Sequence, residues 1–323
     1  MSQFPKYYAG LDIGGTKCAV ILGRLDSKDA SFEILYREAI DTDVSVKPEV
    51  MLDRLDTLLA PLFKEHPIAA IGVSCGGPLD SRRGVILSPP NLPGWDEVYI
   101  VERLTQKYDV PAHLQNDANA CGYAEWKFGA GKGTENMIFC TMGTGFGAGL
   151  ILNGQLYAGT NDNAGEIGHV RLTDMGPAGY GKLGTVEGYC SGGGIAQVGR
   201  LFAHAAIQRG TPPSFCKTVG ELDQITAKSL SLAAQNGDET ALLVWQEVGK
   251  YLGRAMAILI DVLNPERIVI GSIYARSGQL LRNSMEETIR SEALIHSAKV
   301  CEIVPAELGE KIGDIAALSV AIL

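Results

Sequence analysis

Gly143-Thr144-Gly145 and the polar residues after it hold the densest chemistry in this 323-residue chain. An apolar run, Met137 to Cys140, breaks at this turn and resumes as Ala148 to Leu152. That pattern predicts strand, tight turn, strand, with glycines where the backbone must approach something closely. Backbone N–H groups and a threonine hydroxyl converging on such a turn suit phosphate oxygens. Asn161, Asn163, Glu166 and His169 then follow within nine positions. A phosphate cradle running directly into a polar cluster points to a nucleotide beside a polar substrate.

One glycine-rich turn is most often a plain hairpin. Here the plan recurs near the N-terminus, where Leu11 to Leu22 reads as apolar strand, Gly14-Gly15-Thr16 turn, apolar strand. Two copies, one in each half, indicate an internal duplication. Two lobes that each present such a turn can close on one nucleotide.

Two further polar residues have mundane and functional readings. Asn91 lies in Asp80–Trp95, too rich in proline for a regular element, and is either an Asx-turn residue or an amide for a substrate hydroxyl. Asp117 follows a short strand, Ala112–Gln115, and opens a helical stretch to Trp126. By position alone it is an ordinary helix-start aspartate. The functional alternative is a proton acceptor kept ionised by the helix dipole.

The elements that must position these groups alternate strand and helix, an α/β order. Strands are predicted near 32–39, 68–74, 267–272 and 300–304. Helices are predicted over 50–64, 98–108, 195–207, 239–263, 279–292 and 312–323. Residues 214–237 read as a helical, polar surface insert, and 186–194 as a glycine-rich stretch. The strand ending at Gly271-Ser272 offers small residues against which an adenine ring could lie. Gly249 and Gly253 are spaced to admit a neighbouring helix.

Bulk properties exclude several classes. The length favours two domains. Glycine, at 39 residues, is well above the usual ~7%. A net charge of −9 without a lysine or arginine run argues against a nucleic-acid surface. The residues before the first strand are too few and too polar for a signal peptide, and Ala255–Leu263 is too short to span a bilayer. Seven scattered cysteines with no Cys-x-x-Cys pair read as reduced, buried side chains of a cytoplasmic protein.

Five motifs in fixed order carry a resemblance. Asp12–Lys17, Pro90–Trp95, Asn116–Asn119, Gly143–Gly147 and Gly165–His169 together resemble the ROK family of sugar kinases and sugar-responsive repressors, from Tyr7 to the C-terminus. The resemblance implies an actin-like ATPase (ribonuclease H-like) fold, with two lobes and a central cleft for sugar and ATP. Its expected lobes are 1–116, completed by the helix at 312–323, and 117–311. It implies phosphorylation of a hexose or N-acetylhexosamine at the 6-hydroxyl, with Asp117 as general base. Gly77, Asn91, Asn116, Asp117, Glu166, His169 and Glu187 would bind the sugar. Gly14, Gly15, Thr16, Lys17, Gly143, Thr144, Gly145, Gly271 and Ser272 would bind ATP, and Asp12 would face Mg²⁺. Family members are commonly dimers, so a homodimer is expected, with no nucleic-acid or membrane partner. The helix pair around Gly249 and the glycines after Glu187 are candidates for its interface.

The chain departs from the family in one respect. Most members hold a structural zinc with the histidine corresponding to His169 and three cysteines before the glutamate corresponding to Glu187. The cysteine places fall here on Ala178, Tyr180 and Thr185, so no zinc is expected, and Tyr180 is the candidate anchor in its stead. Repressor members also carry a helix-turn-helix ahead of the first turn; with six residues before Tyr7, none is expected here. The alternative to a kinase is a catalytically silent sugar-binding regulator of the same fold. Reading Glu166 and His169 as half of a metal site is disfavoured because two such pairs are needed in a bundle and one is seen.

Overall fold

The computed structural model describes residues 6–26 and 31–323. The strands and helices through the first half are β1 (Lys6–Ile13), β2 (Lys17–Asp26), β3 (Ser31–Asp41), α1 (Pro48–Glu65), β4 (Ile68–Cys75), β5 (Leu79–Asp80), β6 (Val85–Ile86), α2 (Ile100–Tyr108), β7 (Ala112–Asn116) and α3 (Asp117–Phe128). There follow β8 (Met137–Met142), β9 (Phe146–Leu152), β10 (Gln155–Tyr157), β11 (Ala178–Gly179), β12 (Lys182–Leu183), α4 (Val186–Cys190), α5 (Gly192–Gln208) and α6 (Ala227–Gln235). The chain closes with α7 (Glu239–Leu263), β13 (Arg267–Ile270), α8 (Ile273–Glu292), α9 (Ile295–Val300), β14 (Glu302–Pro305) and α10 (Ile312–Val320).

The residues group into two compact units. One comprises residues up to 133 with 149–164 and 307–323; the other comprises 134–148 and 165–306. The expected lobes joined the closing helix to 1–116, as here, but 117–133 and 149–164 also group with the first unit. Helix α3 packs on α10 and on the ends of β4 and β7, so it belongs to the first unit.

One sheet has the strand order β3-β2-β1-β4-β7 and the other β10-β9-β8-β13-β14. In the first, β1–β2 and β2–β3 are antiparallel, whereas β1–β4 and β4–β7 are parallel. In the second, β9–β10 is antiparallel and β8–β13 and β13–β14 are parallel. The echo between the two glycine–threonine turns thus extends to a repeated strand order, as a duplication requires.

Alternation along the strands builds the first unit's core on both sheet faces. Leu11, Ile13, Val20 and Leu22 pack with Met51, Leu55 and Leu59 of α1. Tyr8, Ala19 and Ile21 face Ala317 and Leu318 of α10. Each fully buried aliphatic chain contributes about 1.5–3 kcal/mol, enough to hold the polar strand ends in place. In the second unit, α7 starts at Asp238, whose carboxylate accepts the Ala241 N–H at 2.9 Å. It ends at Asn264, which is left-handed and precedes Pro265. A Cβ added at Gly249 would lie 2.0 Å from Ser284 Oγ, and one at Gly253 2.6 Å from the Met285 carbonyl. The helix these glycines admit is therefore α8 of the same chain.

Several expectations need correction. The glycine-rich 186–194 stretch, given no element from sequence, is helical on both sides of Ser191: α4 is followed directly by α5, which Ser191 caps by accepting the Gly194 N–H at 3.0 Å. The 214–237 segment is not merely a surface insert, since Cys216, Ile225 and Leu230 are buried. The closing helix stops at Val320, and 300–304 is divided between α9 and β14. All seven cysteines are free. Among the described residues no helix is long and apolar enough to cross a membrane.

Candidate active site

Functional side chains fall into two groups, one in each unit. In the first, parallel pairing sets Asp12 beside Ser74 and Cys75 beside Asn116. The carboxyl ends of β1, β4 and β7 therefore finish together, where open α/β sheets bind ligands. Asn116, not Asp117, is the N-cap of α3: its Oδ1 accepts the N–H groups of Ala118 at 2.9 Å and Asn119 at 3.3 Å. Asp117 occupies the first helical position. Its Oδ1 accepts the Ala118 N–H at 2.8 Å, and its other oxygen has no protein partner among the described residues.

Asp117 is exposed to water, yet protein crowds its carboxyl. Burial raises its pKa above the ordinary carboxylate value, against the opposing pull of the Ala118 and Asp117 N–H groups. The helix start does favour the anion as expected, but desolvation outweighs it. Asp12 is pushed up to about 6, first by burial and then by the charges of Asp117 and Asp314, with Arg37 opposing. Arg37 Nε donates to both oxygens of Asp314, at 2.8 and 2.9 Å, in the first turn of α10. Three carboxylates near one another with a single guanidinium against them leave a deficit of positive charge.

The first turn, 14–16, closes with the Gly14 N–H donating to the Lys17 carbonyl at 3.0 Å. Thr42 Oγ1 donates to the Gly14 carbonyl at 2.6 Å, and Thr16 and Lys17 are exposed. Asn91 sits on a loop pinned by buried Leu92 and Trp95. A Cβ placed on Gly15 would lie 2.5 Å from the Asn91 Cβ and carbonyl oxygen, so Asn91 lies against the turn. A Cβ at Gly77 would be 3.3 Å from Asn116 Nδ2. Gly77, Asn116 and Asp117 are thus neighbours, as are Gly15 and Asn91.

In the second unit, Gly143 and Thr144 border a cavity of about 980 Å³. The Gly192 N–H donates to the Gly143 carbonyl at 2.8 Å, tying the first turn of α5 to this turn. Gly192 and Gly193 line the cavity, as do Ser272, Arg276, and Thr226 to Lys228. Ile225 and Leu232 give it an apolar wall. A helix N-terminus and glycine turn at one end, with apolar side chains beyond, suit phosphates followed by a flat base. Of the residues expected to bind ATP here, Gly143, Thr144 and Ser272 line the cavity. Gly145 turns towards Glu187 instead, and Gly271 packs on the Phe139 ring, 3.1 Å from an added Cβ. Sequence reasoning placed helix around α6 but missed its part in the cavity wall, along with Arg276 and the Gly192-Gly193 helix start. Ser191 before three glycines is a legible N-cap signal, whereas nothing local marks α6 as a cavity wall.

Glu187, at the start of α4, accepts the Phe146 N–H through Oε2 at 3.1 Å and abuts the 143–145 turn. Glu166 and His169 are both exposed, and the His169 N–H donates to the Glu166 carbonyl at 3.1 Å across a single turn. The His169 ring meets the edge of Tyr180 at 5.0 Å. The residues do not fit a zinc ion. Ala178 has no ligating atom, Tyr180 is 69% exposed, and the Thr185 hydroxyl is occupied capping α4 through the Gly188 N–H at 3.0 Å. Among the described residues no three His, Cys, Asp or Glu side chains converge on a metal position.

With this geometry in hand, comparison with known proteins fixes the family. The profile of the ROK family matches residues 8–322. The chain belongs to the ROK family. It is 29% identical over 314 residues to a glucokinase of Streptomyces coelicolor, covering 97% of this chain and 96% of that one. A ROK family glucokinase from Streptomyces griseus, solved in complex with glucose and AMPPNP, superposes with a TM-score of 0.76 at 28% identity over 99% of both chains. A ROK family transcriptional regulator, a homologue of the E. coli MLC protein, superposes at 0.84 with 25% identity, over 98% of this chain and 77% of that one. The α/β architecture with its repeated sheet is the actin-like ATPase fold of ROK sugar kinases.

Proposed function

We propose that this ROK protein is an ATP-dependent sugar kinase that phosphorylates the 6-hydroxyl of a hexose or N-acetylhexosamine, with Asp117 as general base. The observation that carries the reading is Asp117 itself. One carboxylate oxygen is fixed by the helix N–H, the other is free of protein partners among the described residues, and burial makes it a stronger base than an ordinary aspartate. Asp117 takes the proton of the attacking hydroxyl as the sugar oxygen bonds to the γ-phosphorus. The bond from that phosphorus to the β,γ-bridging oxygen breaks, releasing ADP. Such transfers are catalysed mainly by positioning and charge neutralisation.

Asn116 holds the Asp117 backbone through its capping bonds, and its Nδ2 together with Asn91 and the Gly77 backbone supplies polar groups for sugar hydroxyls. Glu166, His169 and Glu187 complete the sugar contacts. Gly14 to Lys17 and Gly143 to Gly145 bind the phosphates, and the α5–α6–α8 cavity takes the adenosine. Mg²⁺ bound with ATP would neutralise the phosphate charge, and the uncompensated carboxylate group around Asp12 suits a hard cation.

The likeness to glucokinases makes glucose the first substrate to try. The likeness to a transcriptional regulator favours a second reading, a sugar-binding regulator without turnover. Coupled ADP release with glucose, mannose, fructose, N-acetylglucosamine and N-acetylmannosamine separates the two. The kinase reading expects sugar-dependent ADP release with at least one of them; sugar binding with no release supports the regulator.

A further inference from the structure

The segment between His169 and α4 has little core of its own: Met175 is 73% and Tyr180 69% exposed. Its regular structure is confined to the short β11–β12 pair, and a segment of this length needs further cross-links to keep one shape. Each place that the family gives to a zinc thiolate is used differently here. The Ala178 backbone sits in the fork of the Gln197 side chain, its N–H donating to Oε1 at 2.9 Å and its carbonyl accepting from Nε2 at 2.8 Å. Thr185 caps α4. Tyr180, the expected anchor, lies at the surface.

A buried residue beyond the motif does the anchoring. Tyr189 is 6% exposed and stacks on Tyr251 of α7, with ring centroids 3.5 Å apart and planes at 14°. Its hydroxyl is 3.0 Å from Thr173 Oγ1, which in turn donates to the Met175 carbonyl at 2.6 Å. Leu172 and Thr173 both donate to the Gly184 carbonyl, at 2.8 and 3.2 Å, closing the loop on itself.

This network leads to the site. Gln197 presses Ala178-Gly179 onto the first turn of α4, so closely that a Cβ at Gly179 would be 2.9 Å from the Glu187 Cβ. Glu187 in turn holds the Phe146 N–H at the phosphate turn. We infer that Gln197 and the Tyr189–Thr173 pair form a metal-free clasp that positions Glu187 for sugar, replacing structural zinc in this chain. The inference rests on the sugar-kinase reading for its ligand, but the clasp itself has a separate readout.

The test is amide hydrogen exchange over residues 171–184 of the full-length protein, with and without 1,10-phenanthroline, beside calorimetric titration with glucose or whichever panel sugar the parent binds. Parent exchange should be unchanged by the chelator. Gln197→Ala and Thr173→Val should lose at least about tenfold of loop protection, with α7 protection intact, while Thr173→Ser retains it. Sugar affinity in the loosened variants should fall about tenfold, with kcat at saturation within about twofold of the parent. Chelator-induced loosening of the parent, or full protection in either Gln197→Ala or Thr173→Val, overturns the clasp. A loosened loop with unchanged sugar affinity overturns its positioning role. A parent that binds no sugar refutes the kinase reading instead, and loop protection still judges the clasp.

Discussion

Gly15 and Asn91 touch so closely that no side chain fits between them: a Cβ on Gly15 would lie 2.5 Å from both the Cβ and the carbonyl oxygen of Asn91. Two motifs separated by some seventy-five residues of chain thus form one surface, a candidate phosphate turn backed by a candidate sugar amide. Gly15→Ala must push this loop aside, at a cost of about 1–3 kcal/mol. The expected outcome is a lowered melting temperature and at least a tenfold loss of kcat/KM for both ATP and sugar, measured by scanning calorimetry and the coupled assay.

Glu187 has a structural task and a proposed ligand task, and two substitutions separate them. Glu187→Ala strands the Phe146 N–H, in a residue that is 3% exposed, at a cost of about 1–3 kcal/mol. Glu187→Gln keeps an oxygen acceptor there and should keep parental stability. Both should weaken sugar binding, because the amide cannot reproduce a charge-assisted bond to a hydroxyl. Chemical denaturation and calorimetric titration check the two effects separately.

The two glycine–threonine turns, Asp117 at a helix start and the full extent of α7 are legible in the sequence because each is a local pattern: glycine and threonine between apolar strands, a strand running into a polar helix start, caps at both ends of a periodic run. Asp117 is placed one position past the cap because Asn116 competes for the same N–H groups, and both are good capping residues. The wall formed by α6 is hidden because Thr226, Ser231 and Leu232 look like any amphipathic surface helix until α5 and α8 are packed beside them. Arg37–Asp314 and Gln197–Ala178 join residues that only tertiary packing brings together, so no spacing announces them.

The cavity assignment is testable at Gly193, which is exposed and where an added Cβ meets no atom closer than 4.0 Å. Gly193→Trp should leave the fold intact while its ring occupies nucleotide space. The nucleotide dissociation constant should rise at least tenfold and the sugar constant stay within about twofold. Fluorescence titration with a nucleotide analogue measures the first and calorimetry the second.

The crowded carboxylates predict an unusual pH dependence of stability. Asp12 titrates at about 6 in the folded chain and near ~3.9 when unfolded. A raised folded-state pKa contributes stability that is full below about pH 4 and lost as pH rises through about 6. Asp12→Asn should therefore raise the melting temperature of the metal-free protein at pH 8 by more than at pH 4. An equal shift at both values contradicts the crowding.

The central claim is the role of Asp117, and kcat measured for Asp117→Asn beside sugar affinity tests it most directly. The substitution keeps the size and the Oδ1 acceptor for the Ala118 N–H but removes the base. Turnover should fall by about 10²–10⁴ with sugar affinity within about threefold of the parent, and the parent's acid limb should lie above the ordinary aspartate pKa. Turnover within tenfold of the parent contradicts the account.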